Sequence, residues 1–209
     1  MERLFSYDNP VMRGIGSAAK CVGLCLVCIL CCLPVVTIGA ATSALYYSIE
    51  RSLKNDRGYV ISSFFEALRR DFRQSLPAGI LALVLEFIFL NDFRILYIFL
   101  QDGQAIGYLC IPFAILMVLV PLYLIWTCAV IARFDNTLKN NLKNSLILML
   151  TNPVKTILMA LILLFAFIVI YIMPISILIM PVVALWLITG LTESTFRTKS
   201  EDVRKQAWA

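Results

Sequence analysis

Four stretches of this 209-residue chain, 21–48, 74–90, 106–132 and 156–191, contain no lysine or arginine and are built mostly of aliphatic, aromatic and cysteine side chains. A bilayer's hydrocarbon core, about 30 Å thick, takes about 20 helical residues to cross. Composition agrees: 61% of the residues are apolar and 15% charged, with a mean hydropathy of +0.88. A soluble domain carries about 45–50% apolar and about 25% charged residues, so a water-soluble enzyme and a disordered chain are both excluded.

The fold class that follows is all-α, a polytopic helical membrane protein in one domain. Five spans are expected, near 18–41, 72–91, 106–132, 154–173 and 175–193. The last two arise because 156–191 is too long for one helix and Met173-Pro174 is the natural turn. Pro112 and Pro121 predict a tilt or kink in the third span. Pro34 breaks the first, since proline lacks the backbone N–H and crowds the preceding turn. Two arrangements satisfy that break, a full span or a re-entrant hairpin. The full span is preferred, because irregular backbone in lipid needs protein around it.

The basic residues set an orientation. Residues 1–20 hold three, 49–75 six, 91–105 one, 133–155 four and 192–209 four. Segments 49–75, 133–155 and the polar tail 194–209 are therefore expected on the cytoplasmic side, with the C-terminus. Five full spans place the N-terminus outside. No cleavable signal peptide is expected, because Asp8, Asn9 and Arg13 precede the first apolar run and no small-residue site in a polar region ends it.

Chemistry is narrowed by what is missing. The chain has no histidine, which removes the commonest base near neutral pH and the commonest metal ligand. It has no phosphate-cradling G-x-x-x-x-G-K-[ST] run. Gly14-Ile15-Gly16-Ser17-Ala18-Ala19 fits G-x-G-x-x-A but follows no strand, so it is not read as a dinucleotide site. Cys21, Cys25, Cys28 and Cys32 share one helix face, where thiolates splay instead of converging, and they are read as packing residues. No catalytic residue, cofactor, metal or nucleic-acid partner is expected.

Pro34, Thr37, Gly39, Ala40, Ser43 and Ala44 are the candidate hinge and packing residues. Gly39 with Ser43, and Ala40 with Ala44, form small-x-x-x-small pairs that let helices approach closely. The Thr37 hydroxyl can bond a carbonyl freed by the bend. Glu86 is the one carboxylate inside an apolar run, and such a group is costly without a partner or an interface. A structural hydrogen bond or a place near the membrane interface is the first reading, and a proton or ligand role the second.

Residues 62–75 read as an amphipathic helix with Ser63 and Glu66 as a capping box. Phe64, Phe65, Leu68 and Phe72 are placed on one side of it and Arg69, Arg70 and Arg73 on the other. These arginines, with Arg133 and Asn136, are the candidate cytoplasmic docking or lipid contacts. Asp135 and Asn136 can end or cap helices. Asn152 is a helix cap ahead of Pro153 at the first helical position, and Ser200 caps a brief helix in the tail.

Met1-Glu2-Arg3-Leu4-Phe5 with Asn9-Pro10-Val11-Met12-Arg13, and the run from Cys32-Leu33-Pro34-Val35-Val36-Thr37-Ile38-Gly39-Ala40 to Tyr47, resemble the YesL family of small bacterial integral membrane proteins. Phe64-Phe65, Arg133-Phe134-Asp135-Asn136 and Asn152-Pro153 are similar to its later markers. The resemblance implies a bacterial cell membrane protein of unknown function, associated with sugar uptake and polysaccharide use. It carries no catalytic residues over. Membrane lipid, and a sugar-uptake transporter or another membrane protein, are the partners expected. The leading expectation is a non-enzymatic accessory or regulatory protein, and the alternative a small transporter or channel built on Pro-broken helices.

Overall fold

The computed structural model describes residues 10–54, 59–102, 104–134 and 136–207. Met1–Phe5, Asn9 and Asp135, which take part in the family resemblance, lie outside the described residues, as does Asp8. Seven helices follow in order: α1 (Pro10–Cys32), α2 (Ile38–Ser48), α3 (Val60–Gln101), α4 (Cys110–Arg133), α5 (Leu138–Thr151), α6 (Pro153–Ile172) and α7 (Met180–Ala207). Among the described residues there is no strand, so the all-α class stands.

Among the described residues, three helical segments are long and apolar enough to cross a membrane: Val60–Gln101, Ala105–Arg133 and Pro153–Ile172. Five were expected. Of the other two, α1 runs from Pro10 to the break after Cys32, with Lys20–Cys32 as its apolar part. The last falls short because the apolar part of α7 gives way to Thr192, Glu193 and Ser194. That polar stretch is no separate tail: α7 runs on unbroken through Ala207, so Ser200 lies inside a helix instead of capping one.

Pro34 acts as a breaker should. Its backbone is extended, a three-residue 3₁₀ turn (Val35–Thr37) follows, and α2 starts at Ile38. Thr37 Oγ1 stands 2.5 Å from the Cys31 carbonyl and 2.7 Å from that of Pro34. One hydroxyl thus serves carbonyls on both sides of the break, as its place after the proline suggests. Gly23 of α1 lies against Ile61 at the start of α3, and Gly39 at the start of α2 lies against Gly79. Beyond the end of α2, Ser52 donates to Ser63 at 2.9 Å. The two helices therefore fold back on each other beside the first half of α3.

The second correction concerns α3. Connector 49–75 and span 72–91 were read as separate pieces, yet 42 residues from Val60 to Gln101 form one helix with Pro77 inside it. Nothing else in the stretch stops a helix. A proline within an apolar helix is tolerated when neighbouring groups re-satisfy the backbone it frees. Ser63 and Glu66 consequently sit in the helix interior and are no capping box; Tyr59 precedes the first helical residue. In α4, Pro112 falls in the first turn and Pro121 in the middle, and the helix continues past both. At the far end Pro153 is at the first turn of α6 and a 3₁₀ turn at Pro174–Leu178 joins it to α7, as expected; Asn152 stands at the cap position, but its side chain makes no capping bond and donates to the Leu148 carbonyl of α5 at 3.1 Å.

Candidate functional site

The α2–α3 crossing explains why residues after the break are small. Gly39, Ala40, Ser43 and Ala44 are all buried. A Cβ added to Gly39 would stand 2.5 Å from the Gly79 Cα and 2.7 Å from the Ser75 carbonyl oxygen. Hydrogen is thus the largest substituent the contact admits. The Cys128 thiol of α4 reaches the Gly39 carbonyl at 3.7 Å, joining a third helix. Pro34 itself is exposed and Thr37 half-buried.

Where the end of α2 and the turn after it meet the end of α4 and the middle of α7, polar side chains gather around a cleft of about 540 Å³. Tyr46, Tyr47, Glu50, Arg51, Ala132, Arg133 and Glu193 line it. Tyr46, fully enclosed but for its edge, shares a 2.6 Å hydrogen bond with Thr192 and stands 3.5 Å from Glu193 Oε1. Arg133 pairs with the other oxygen of Glu193 and lies over the Phe196 ring at 5.0 Å. The Tyr47 ring has two guanidinium groups on it, Arg70 at 4.6 Å and Arg51 at 5.6 Å. Arg51 also donates to the Tyr47 oxygen at 2.6 Å and to Glu66 at 3.1 Å. These two partners, the phenol first and the carboxylate second, push the Arg51 pKa above its ordinary value, so it stays charged at every pH a cell meets.

Arg70 forms a two-pronged pair with Asp71, at 2.8 and 2.9 Å, and approaches the Ala132 carbonyl. Next to it Gln74 donates to the Asn136 carbonyl and receives the Asn141 amide, both at 2.9 Å. The candidate contacts therefore divide. Arg70 and Arg133 turn inward, and the Asn136 main chain accepts bonds from within the protein. Arg69 and Arg73 are exposed and make no hydrogen bond or ion pair among the described residues.

The amphipathic face was also misplaced. The side of α3 that packs consists of Val60, Ser63, Phe64, Ala67, Asp71 and Ser75, whereas Phe65 and Phe72 are exposed. A rule that groups phenylalanines together misses that small residues and one arginine-paired aspartate suit the close approach of α2. The cleft roles of Tyr46, Glu66 and Glu193 have no signal in the sequence, because their partners lie 15 to 147 positions away; only Tyr47 and Arg51 are helical neighbours.

Glu86 is half-buried on α3, and its Oε2 is enclosed with no hydrogen-bond partner. Of the two forms of the first reading, a hydrogen bond is not seen among the described residues. In the cysteine ladder, Cys25 and Cys28 are buried while Cys21 and Cys32 are half-buried, and the Cys25 thiol points to the Ile177 carbonyl at 3.4 Å. That bond ties α1 to the turn before α7.

A family model described as a protein of unknown function, DUF624, matches residues 20–93. The match takes in the apolar part of α1, the break, α2 and most of α3. No curated protein matches the chain, and no solved structure does. The match and the three long apolar helices are consistent with a membrane protein containing a domain of unknown function.

Proposed function

We propose that this chain is a YesL-type protein of the bacterial cell membrane, acting without catalysis as an accessory or regulatory partner of a carbohydrate-uptake system. The link to sugar uptake rests on the resemblance at Cys32–Tyr47. One structural observation supports the non-catalytic part: the arginines around the cleft are paired within the protein, Arg51 and Arg133 with carboxylates on other elements and Arg70 with its neighbour Asp71. General acid–base work needs a group free to exchange a proton with substrate, and pairs of this kind serve cohesion. Purification from native membranes in mild detergent, after growth on a complex carbohydrate, tests the reading. A sugar-transport protein should copurify in fixed ratio, and recovery of the chain without any membrane partner would overturn it.

A small transporter or channel is the second reading, favoured by the helix break at Pro34 and the unpartnered Glu86 oxygen. Broken helices and intramembrane carboxylates are common marks of transport sites. Solute uptake into liposomes that Glu86→Gln abolishes would put this reading first; liposomes that take up no solute would remove it.

A further inference from the structure

On one face of α3, Arg69 and Arg73 are followed at helical spacing by Ile80, Val84 and Phe87, all exposed. Phe72, exposed as well, stands beside Arg73. The helix is unbroken from end to end of this stripe. Given the membrane reading above, Ile80, Val84 and Phe87 meet acyl chains, since they lie in an apolar run with no internal partner. At 1.5 Å per residue, Arg73 lies about 10 Å along the axis from Ile80 and Arg69 about 16 Å. That is the order of the distance between the upper part of an acyl chain and the phosphate of the same lipid. Guanidinium groups pair with phosphate oxygens through two parallel bonds. The arginines turned inward are already paired, which leaves these two with their full donor capacity outward.

We propose that the Arg69–Arg73 face of α3 is a binding site for an anionic phospholipid, its phosphate on the two guanidinium groups and a tail along Ile80, Val84 and Phe87. The occupant is argued from continuity: the same helix face is apolar where tails lie and cationic where headgroups lie. A peptide partner has no reason to follow that sequence of surfaces. Charge attraction of this kind weakens with salt.

The test uses the full-length protein in nanodiscs of phosphatidylcholine with increasing phosphatidylglycerol, and reads the lipids retained by native mass spectrometry. Retention of phosphatidylglycerol over phosphatidylcholine should fall about fivefold for each arginine removed. Arg69→Gln with Arg73→Gln should therefore nearly erase the preference, and the Arg69→Lys, Arg73→Lys pair should restore part of it. Arg51→Gln removes the same charge as Arg73→Gln from a side chain already paired with Glu66 and off this face, and should leave the preference in place. An unchanged preference in the double glutamine variant overturns the site. So does an equal loss in Arg51→Gln, or an Arg69–Arg73 face that native membranes protect with a protein while lipid retention does not change. None of these results depends on the sugar-uptake reading, which fails or stands on its own purification.

Discussion

The two halves of α3 solve opposite problems with one helix. From Val60 to Ala82 its buried positions are small or polar apart from Val60 and Phe64: Ser63, Ala67, Asp71, Ser75, Ala78, Gly79 and Ala82. From Leu83 onward none of its side chains is buried, and Val84, Phe87, Ile88, Leu90, Ile95 and Phe99 stand exposed. In water this would be inverted, since large apolar residues fill cores. In lipid, bulky side chains gain nothing by meeting each other in place of acyl chains, and close packing of small residues is what draws helices together. The halves therefore differ in how they touch the rest of the chain: the first is closely packed along α2, whereas the second meets α4 and the turn before it on one side and presents large apolar side chains outward on the other.

That contrast can be broken most easily at Phe64. It is wholly buried, so Phe64→Ala should cost about 3–5 kcal/mol of stability. Phe87→Ala removes the same atoms from the exposed half and should cost far less. Equilibrium unfolding of both variants in mixed micelles, read by far-ultraviolet circular dichroism, compares them directly; equal losses would erase the distinction. A smaller loss is expected at the helix crossing. Gly79→Ala places a methyl group 2.7 Å from the Gly39 Cα, and overpacking of that kind costs about 1–3 kcal/mol. Gly23→Ala is the control, because its added carbon meets only the tip of Ile61 at 3.9 Å. The same unfolding assay should separate the two.

Smaller again is the charged cleft. Arg133→Gln should lower stability by about 1 kcal/mol, as a hydrogen bond between charged groups at a part-exposed site is lost. Thermal unfolding at low and high salt checks this, the wild-type protein losing part of its advantage as salt rises. At the bottom of the scale, Arg69→Gln should change stability by less than about 0.5 kcal/mol. A loss near that of Arg133→Gln would mean that Arg69 is held by the protein after all.

Much of this architecture could be read before folding it. Charge-free runs mark the helices because lipid tolerates few ionised groups, and Pro34, Asn152-Pro153 and Met173-Pro174 mark breaks because each alters local backbone chemistry. What escaped was everything decided at a distance. Whether the chain bends at Pro77 depends on α2 lying across that part of α3, and the helix runs straight on into what looked like a connector. Which phenylalanine faces inward depends on Ala41, Ala44 and Leu45, which pack in the same core as Phe64. Arg69 and Arg70 are neighbours of one residue type, yet one is free and the other stacked on Tyr47. Only the arrival of α2 and α4 tells them apart.

Spin labels at Phe64→Cys and Phe87→Cys, placed singly in the protein reconstituted in bilayers, test the contrast at its root. Oxygen dissolves in hydrocarbon and a nickel chelate stays in water, so collisions with each report the surroundings of the label. The Phe87 site should be open to oxygen and closed to nickel, and the Phe64 site closed to both. A Phe87 label that collides freely with the nickel chelate would contradict the account, because the outer half of α3 would then stand in water.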